Sequence, residues 1–181
     1  MKKGIIISGN LAQDHEFIYP YYRLLEEKIL VDVCMLEGKP VKGILGTTLP
    51  PNKEQNVKKI EEVKVEDYDI LIIPGGVKAM EKVRQNKKII NFISDFDKQK
   101  KIIACICSGA QLLISAKVVK GRKIAGYYSM EDDLINAGAV YTDLPAVVDQ
   151  NIITTAHYKD MGPWMREVIK LVNKNWENLI Y

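Results

Sequence analysis

A cysteine set where an apolar strand meets a helix is the residue in this chain best placed for covalent chemistry. Lys101 to Cys105 reads as a buried strand, Cys107-Ser108-Gly109 follows at once, and Ser108 to Ile114 has helical spacing. A thiol at so sharp a turn faces the crevice, and the positive end of the helix favours thiolate over thiol. Gly109 supplies the room the turn needs. The commoner fate of a strand cysteine is to serve as a small hydrophobe. That suits Cys34 and Cys105, which lie within apolar runs, and leaves Cys107 as the expected nucleophile. Ligands of an open parallel sheet bind beyond the carboxyl ends of its strands. Two other loops lie at such ends, Gly9 to Glu16 and Pro74-Gly75-Gly76. Taken alone, Glu16 is a first-turn acid that interacts with a helix dipole, and Gly75-Gly76 is a tight turn. His157, after a strand end, reads as a surface histidine that could approach the crevice. His15 has polar neighbours and reads the same way more strongly. Tyr127 either offers a hydroxyl to the site or packs as an aromatic.

The elements that must position these residues alternate along the chain. Gly4 to Ser8, Val31 to Leu36 and Asp69 to Ile73 are short, apolar strands of the kind buried on both faces. Asp14 to about Lys28 has helical spacing, with Pro20 predicting an irregular start or a kink. Glu37 to Lys64 is broken by glycines and prolines, which predicts short strands or a hairpin with loops. Ala79 to Lys98 is a charged helical stretch, and Glu131 to Ala137 is a short helix capped by Gly138. Val147 to Asp149 and Ile152 to Thr155 are strand-like across a Gln150-Asn151 turn. Gly162-Pro163 opens a last amphipathic helix with Met165, Val168, Ile169 and Val172 facing in. Such alternation predicts an α/β fold, a mostly parallel sheet with helices on both faces, in one domain spanning 1–181.

The 181 residues are 47% hydrophobic and 27% charged, as in ordinary soluble globular proteins, and need no staples to bury a core. Three cysteines are too few and too unevenly placed for a disulfide framework, so free thiols in a cytoplasmic setting are expected. Cys105 and Cys107 are far in sequence from either histidine, so no metal site is expected. The net charge of +3 is spread along the chain, which argues against a nucleic-acid partner. No apolar run is long enough for a membrane span. The first loop lacks the hydroxyls and glycines that cradle a phosphate, and Asp14 and Glu16 would repel one, so no cofactor is expected.

Ala104-Cys105-Ile106-Cys107-Ser108-Gly109 resembles the nucleophile elbow of the ThiJ/PfpI superfamily. Asp14 to Leu24 is similar to the family's acidic first loop and helix, and Tyr68 to Gly76 to its third-strand signature. Leu112 to Ala116, Lys120 to Lys123, Asp132 to Ala139 and Trp164 to Glu167 look especially like the PfpI branch. The resemblance implies a flavodoxin-like, doubly wound fold related to class I glutamine amidotransferases, and a homodimer or larger homo-oligomer. It places the nucleophile on Cys107, its acid partner on Glu16, and the oxyanion-hole amides on Gly76 and Ser108. A protonated Glu16 would hydrogen-bond the sulfur and stabilise its sulfinate form. Three departures stand out. Ser108 replaces the histidine that PfpI-type members place after the nucleophile, Gln13 replaces an acid, and Ala156 replaces an arginine.

Three activities follow from the resemblance. Cys107 attacks a small reactive carbonyl such as methylglyoxal and Glu16 moves the proton, a glyoxalase- or deglycase-like reaction for stress protection. Alternatively, Cys107 is a redox sensor read out as sulfinate. The third is a cysteine peptidase or amidohydrolase acting on a peptide, which would need a histidine from elsewhere. Glutaminase chemistry is disfavoured, because His157-Tyr158-Lys159 lacks the glutamate of a His-x-Glu pair.

Overall fold

Runs of β-branched residues form the interior of a twisted sheet in the computed structural model, which describes residues 2–177 and leaves Met1 and residues 178–181 outside. In chain order come β1 (Lys3–Ser8), α1 (Asp14–Glu26), β2 (Leu30–Met35), the two-residue strands β3 (Val41–Lys42), β4 (Thr48–Leu49) and β5 (Val57–Lys58), then β6 (Ile70–Ile73). They are followed by α2 (Val77–Val83), α3 (Lys87–Lys98), β7 (Ile102–Ile106), α4 (Ala110–Ser115), β8 (Lys123–Ile124), α5 (Glu131–Asn136) and β9 (Val140–Tyr141). The antiparallel pair β10 (Val147–Asp149) and β11 (Ile152–Thr155) and the last helix α6 (Met161–Glu177) complete the order.

Seven strands hydrogen-bond in the order β10-β11-β7-β6-β1-β2-β5, parallel except for the β10 edge. β6 and β7 are buried along their whole lengths, as strands covered on both faces must be. The helices bury one stripe each: Phe17, Tyr21 and Leu24 on α1, Ile89, Ile93 and Phe96 on α3, and Trp164, Met165, Val168 and Val172 on α6. The Trp164 indole N–H donates to the Ile153 carbonyl at 3.1 Å, fixing α6 against β11. The fold is a flavodoxin-like α/β sandwich.

Two expectations change, and Pro20 leaves its helix unbroken. The charged stretch Ala79 to Lys98 is two helices, because the Asn86 side chain accepts from the Lys88 and Ile89 amides and starts α3 anew. α1 is one unbroken helix from Asp14 to Glu26 with Pro20 inside it; the missing N–H costs the bond to the Glu16 carbonyl while the buried ring packs on the core side. The segment after β7 opens with a 3₁₀ turn over Cys107–Gly109, so α4 is only six residues long. The Gly/Pro-rich segment does contain a hairpin, β3 paired with β4. Among the described residues no helix is long and apolar enough to cross a membrane.

Candidate functional site

Strand order decides what can meet. β11, β7, β6 and β1 are successive neighbours, so the segments leaving their carboxyl ends converge: His157 after β11, Cys107 after β7, Gly75 and Gly76 after β6, and residues 9–16 after β1. Cys107 sits at φ +59°, in the left-handed region that a non-glycine residue occupies at a cost of about 1–3 kcal/mol. The elbow is held in that conformation. The Tyr127 amide donates to the Cys107 carbonyl at 3.2 Å, and Gly109 packs so closely on β6 that a Cβ there would lie 2.8 Å from the Ile73 carbonyl oxygen.

Glu16, fully buried in the first turn of α1, reaches the same point from the other side. Its Oε2 accepts the Gly75 amide at 2.7 Å, and Oε1 has no protein partner. The Gln13 amide in turn donates to the Gly75 carbonyl at 3.1 Å, so the β1 and β6 loops are tied in both directions. Gly75 must lack a side chain: a Cβ there would overlap Glu16 Oε2 and stand 3.1 Å from the Cys107 sulfur. That vacant position is where acid and thiol meet.

A cavity of about 280 Å³ opens over the pair, lined by Gly76, Ser108, Tyr127 and His157 together with Gln13, Ile44, Val77 and Tyr158. The sequence makes His157 a surface histidine within reach of the crevice. The structure puts it in the cavity wall, because β11 lies beside β7. Its ring packs 4.0 Å from that of Tyr158 and 6.2 Å from Tyr127, and its Nδ1 accepts the Lys159 amide, so in the neutral ring Nε2 carries the proton. His15 stacks on Tyr158 at 5.6 Å. Ile44, Val77 and Tyr158 escaped sequence reading. The one available signal was an apolar pair, Ile44-Leu45, between two glycines in an otherwise polar loop.

The expected lowering of the Cys107 pKa is overturned. Burial, and then the neighbouring Glu16 charge, push the thiol up to about 12 against the Ser108 backbone N–H, which works the other way. A six-residue helix offers too little dipole to offset this. Burial also raises Glu16 to about 7, with the Gly75 amide opposing. Two such groups titrate as a pair, which gives up its first proton near neutrality and holds its second far above. Cys34 and Cys105 are fully buried and burial raises both thiols, as small hydrophobes in strands require. Among the described residues no group of three His, Cys, Asp or Glu side chains could hold a metal ion.

Comparison with known proteins agrees with this architecture. The chain is 41% identical over 170 residues to a protein of Archaeoglobus fulgidus, covering 94% of this chain and 98% of that one. It is 38% identical to deglycase PfpI of Pyrococcus furiosus, over 94% of this chain and 99% of that protein. Among solved structures, a two-domain protein of Anabaena variabilis with DJ-1/ThiJ/PfpI-like and ferritin-like domains superposes with a TM-score of 0.87 at 28% identity, covering 96% of this chain and 48% of that one. Residues 2–171 match the family described as DJ-1/PfpI, with relatives above 30% identity along nearly their full lengths. By fold, by elbow and by sequence, this chain belongs to the DJ-1/PfpI family.

Proposed function

We propose that the protein converts small reactive carbonyl compounds, with Cys107 as nucleophile and Glu16 as proton carrier. The observation that carries this reading is the buried carboxyl and thiol meeting over the side-chain-less Gly75. With one proton left on the pair, a Glu16 carboxylate takes the thiol proton as Sγ adds to the aldehyde carbon of methylglyoxal. That proton passes to the new oxygen, forming a hemithioacetal. The Gly76 and Ser108 amides at the cavity wall hold this oxygen while it carries charge. Glu16 then removes the hydrogen from the same carbon and returns it to the neighbouring ketone carbon through an enediol. The first carbon becomes a thioester and the second an alcohol. Water cleaves the thioester, so methylglyoxal plus water yields lactate and the free thiol, with no external oxidant or reductant. The name deglycase borne by the Pyrococcus relative supports carbonyl-adduct chemistry. With this reading go the stress protection and homo-oligomeric assembly that the resemblance implies, and the cytoplasmic setting expected from three unevenly placed cysteines.

A redox role is the second reading, favoured by one observation: Glu16 Oε1 is buried without a partner. A protonated carboxyl there would donate to a sulfinate oxygen on Cys107.

Methylglyoxal consumption with chiral detection of lactate, by wild type and Cys107→Ser side by side, decides. Turnover that falls at least ~1000-fold in the variant, and persists in Cys105→Ser, is expected of a nucleophile. Equal turnover in wild type and Cys107→Ser overturns the assignment. No turnover in either, with stoichiometric sulfinate by intact mass under peroxide, transfers the site to the redox reading.

A further inference from the structure

Successive residues of a helix point about 100° apart, and three in the first turn of α1 face three different walls of the site. Glu16 turns inward to Gly75 and the thiol, and His15 stacks on Tyr158. Asp14, 2% exposed, turns to the β3–β4 hairpin. Its Oδ2 accepts the Leu45 amide at 2.8 Å and its Oδ1 the Thr47 amide at 3.0 Å. The Ile44 amide donates to the Ala12 carbonyl at 2.9 Å, and the Gly43 amide closes the turn onto Thr47 at 2.9 Å. A side chain on Gly43 would overlap the Asp14 carboxylate, so the tip and the acid fit against each other. Those amide donors hold Asp14 below the usual carboxylate range despite its burial, so it is an anion bound to the tip.

The pinned tip delivers Ile44 to the cavity. Ile44 is 54% exposed and Val77, from the start of α2, is 47% exposed, yet both line the cavity over Cys107. Two open apolar side chains lining one cavity beside a nucleophile give it an apolar wall of the kind small-molecule sites use. Tyr127 and Tyr158 add aromatic faces. We infer that Asp14 is a positioning residue that holds Ile44 as one jaw of an apolar clamp opposite Val77, selecting carbonyl substrates with an apolar or aromatic substituent beside the reacting carbon. The inference rests on the carbonyl reading of the Cys107 site and specifies its substrate class.

The test is the ratio of kcat/KM for phenylglyoxal to that for methylglyoxal in wild type, Ile44→Ala, Ile44→Leu and Asp14→Asn. Removing one apolar wall costs an aromatic substituent about tenfold. Ile44→Ala therefore lowers the ratio five- to tenfold, mainly by raising KM for phenylglyoxal, and Ile44→Leu restores most of it. Asp14→Asn keeps one acceptor oxygen but presents an N–H₂ to the other backbone donor. It lowers the ratio in the same direction, whereas a merely structural role would reduce both substrates alike. A ratio unchanged by Ile44→Ala overturns the clamp; a ratio unchanged by Asp14→Asn overturns the positioning role. A second readout needs no turnover: the alkylation rates of Cys107 by N-benzyl iodoacetamide and by iodoacetamide, followed by intact mass. Wild type prefers the benzyl reagent, and Ile44→Ala loses at least fivefold of that preference. If the wild type consumes neither aldehyde but shows this preference, the carbonyl reading fails and the clamp stands. If it turns over both and shows neither discrimination, the clamp alone fails.

Discussion

The two ends of β7 and β11 are built to opposite specifications. Before their first residues, the Arg122 guanidinium forks onto Asp97 at 2.9 and 3.2 Å. Asn151 donates to Asp97 at 3.0 Å and to the Lys101 carbonyl at 2.9 Å, and accepts from Arg122 at 3.3 Å. The Arg122 and Asp97 charges are each other's partners there. At their carboxyl ends, Cys107 is held at positive φ, and Glu16 Oε1, Ser108 Oγ and Thr155 Oγ1 are buried without protein partners. The amino end spends its polar groups on one another. The carboxyl end keeps them available, which is what a reacting site requires and what a stable core avoids.

Breaking the amino end has the largest effect on folding. Arg122→Met strands the Asp97 carboxylate in a site where both partners are more than four-fifths buried. It should lower unfolding free energy by about 4 kcal/mol in denaturant melts. Chemistry per folded molecule should be untouched, and adding Asp97→Leu should recover much of the loss.

Glu16→Gln acts at the carboxyl end and shows itself against pH. In the unfolded chain Glu16 releases its proton near its ordinary 4.5, whereas the native state holds it to about 7. Between those values the native state binds more protons, so its stability is greatest at the acid side and declines as pH rises toward 7. The wild type should lose about 3 kcal/mol across that window. Melts of Glu16→Gln should lack this slope, and its Cys107 alkylation rate should lack the rise near pH 7.

The smallest change sharpens the contrast by repairing a vacancy. Thr155→Val replaces a fully buried hydroxyl without a partner by an isosteric methyl. It should raise stability by about 1 kcal/mol in thermal melts. The same gain from a mutation at the amino end would erase the distinction.

A feature is legible in the sequence to the extent that its causes are local. Strands announced themselves because β6 and β7 are buried on both faces and must be apolar throughout. The elbow was readable because strand, cysteine and glycine are adjacent. Glu16 needed the family resemblance, since a first-turn acid carries no mark of which way it points. The break between α2 and α3 was hidden in continuous charge, where only the Asn86 side-chain acceptor separates two helices. His157 and Ile44 join the site through strand order and a hairpin anchored 31 residues away on Asp14, which spacing along the chain does not encode. The thiol's pKa was misread for a related reason: burial is a property of the assembled core, and it outweighed the local helix end.

The sheet also has a bearing on how the protein behaves at high concentration. Its edges are β5, two residues long, and β10, three residues long, with Lys58 lying in β5. An incoming strand would find only two or three backbone rungs on either side, with a cation at one of them. Growth of the sheet from chain to chain, the usual route by which open α/β sheets turn into insoluble aggregates, is therefore starved of a template.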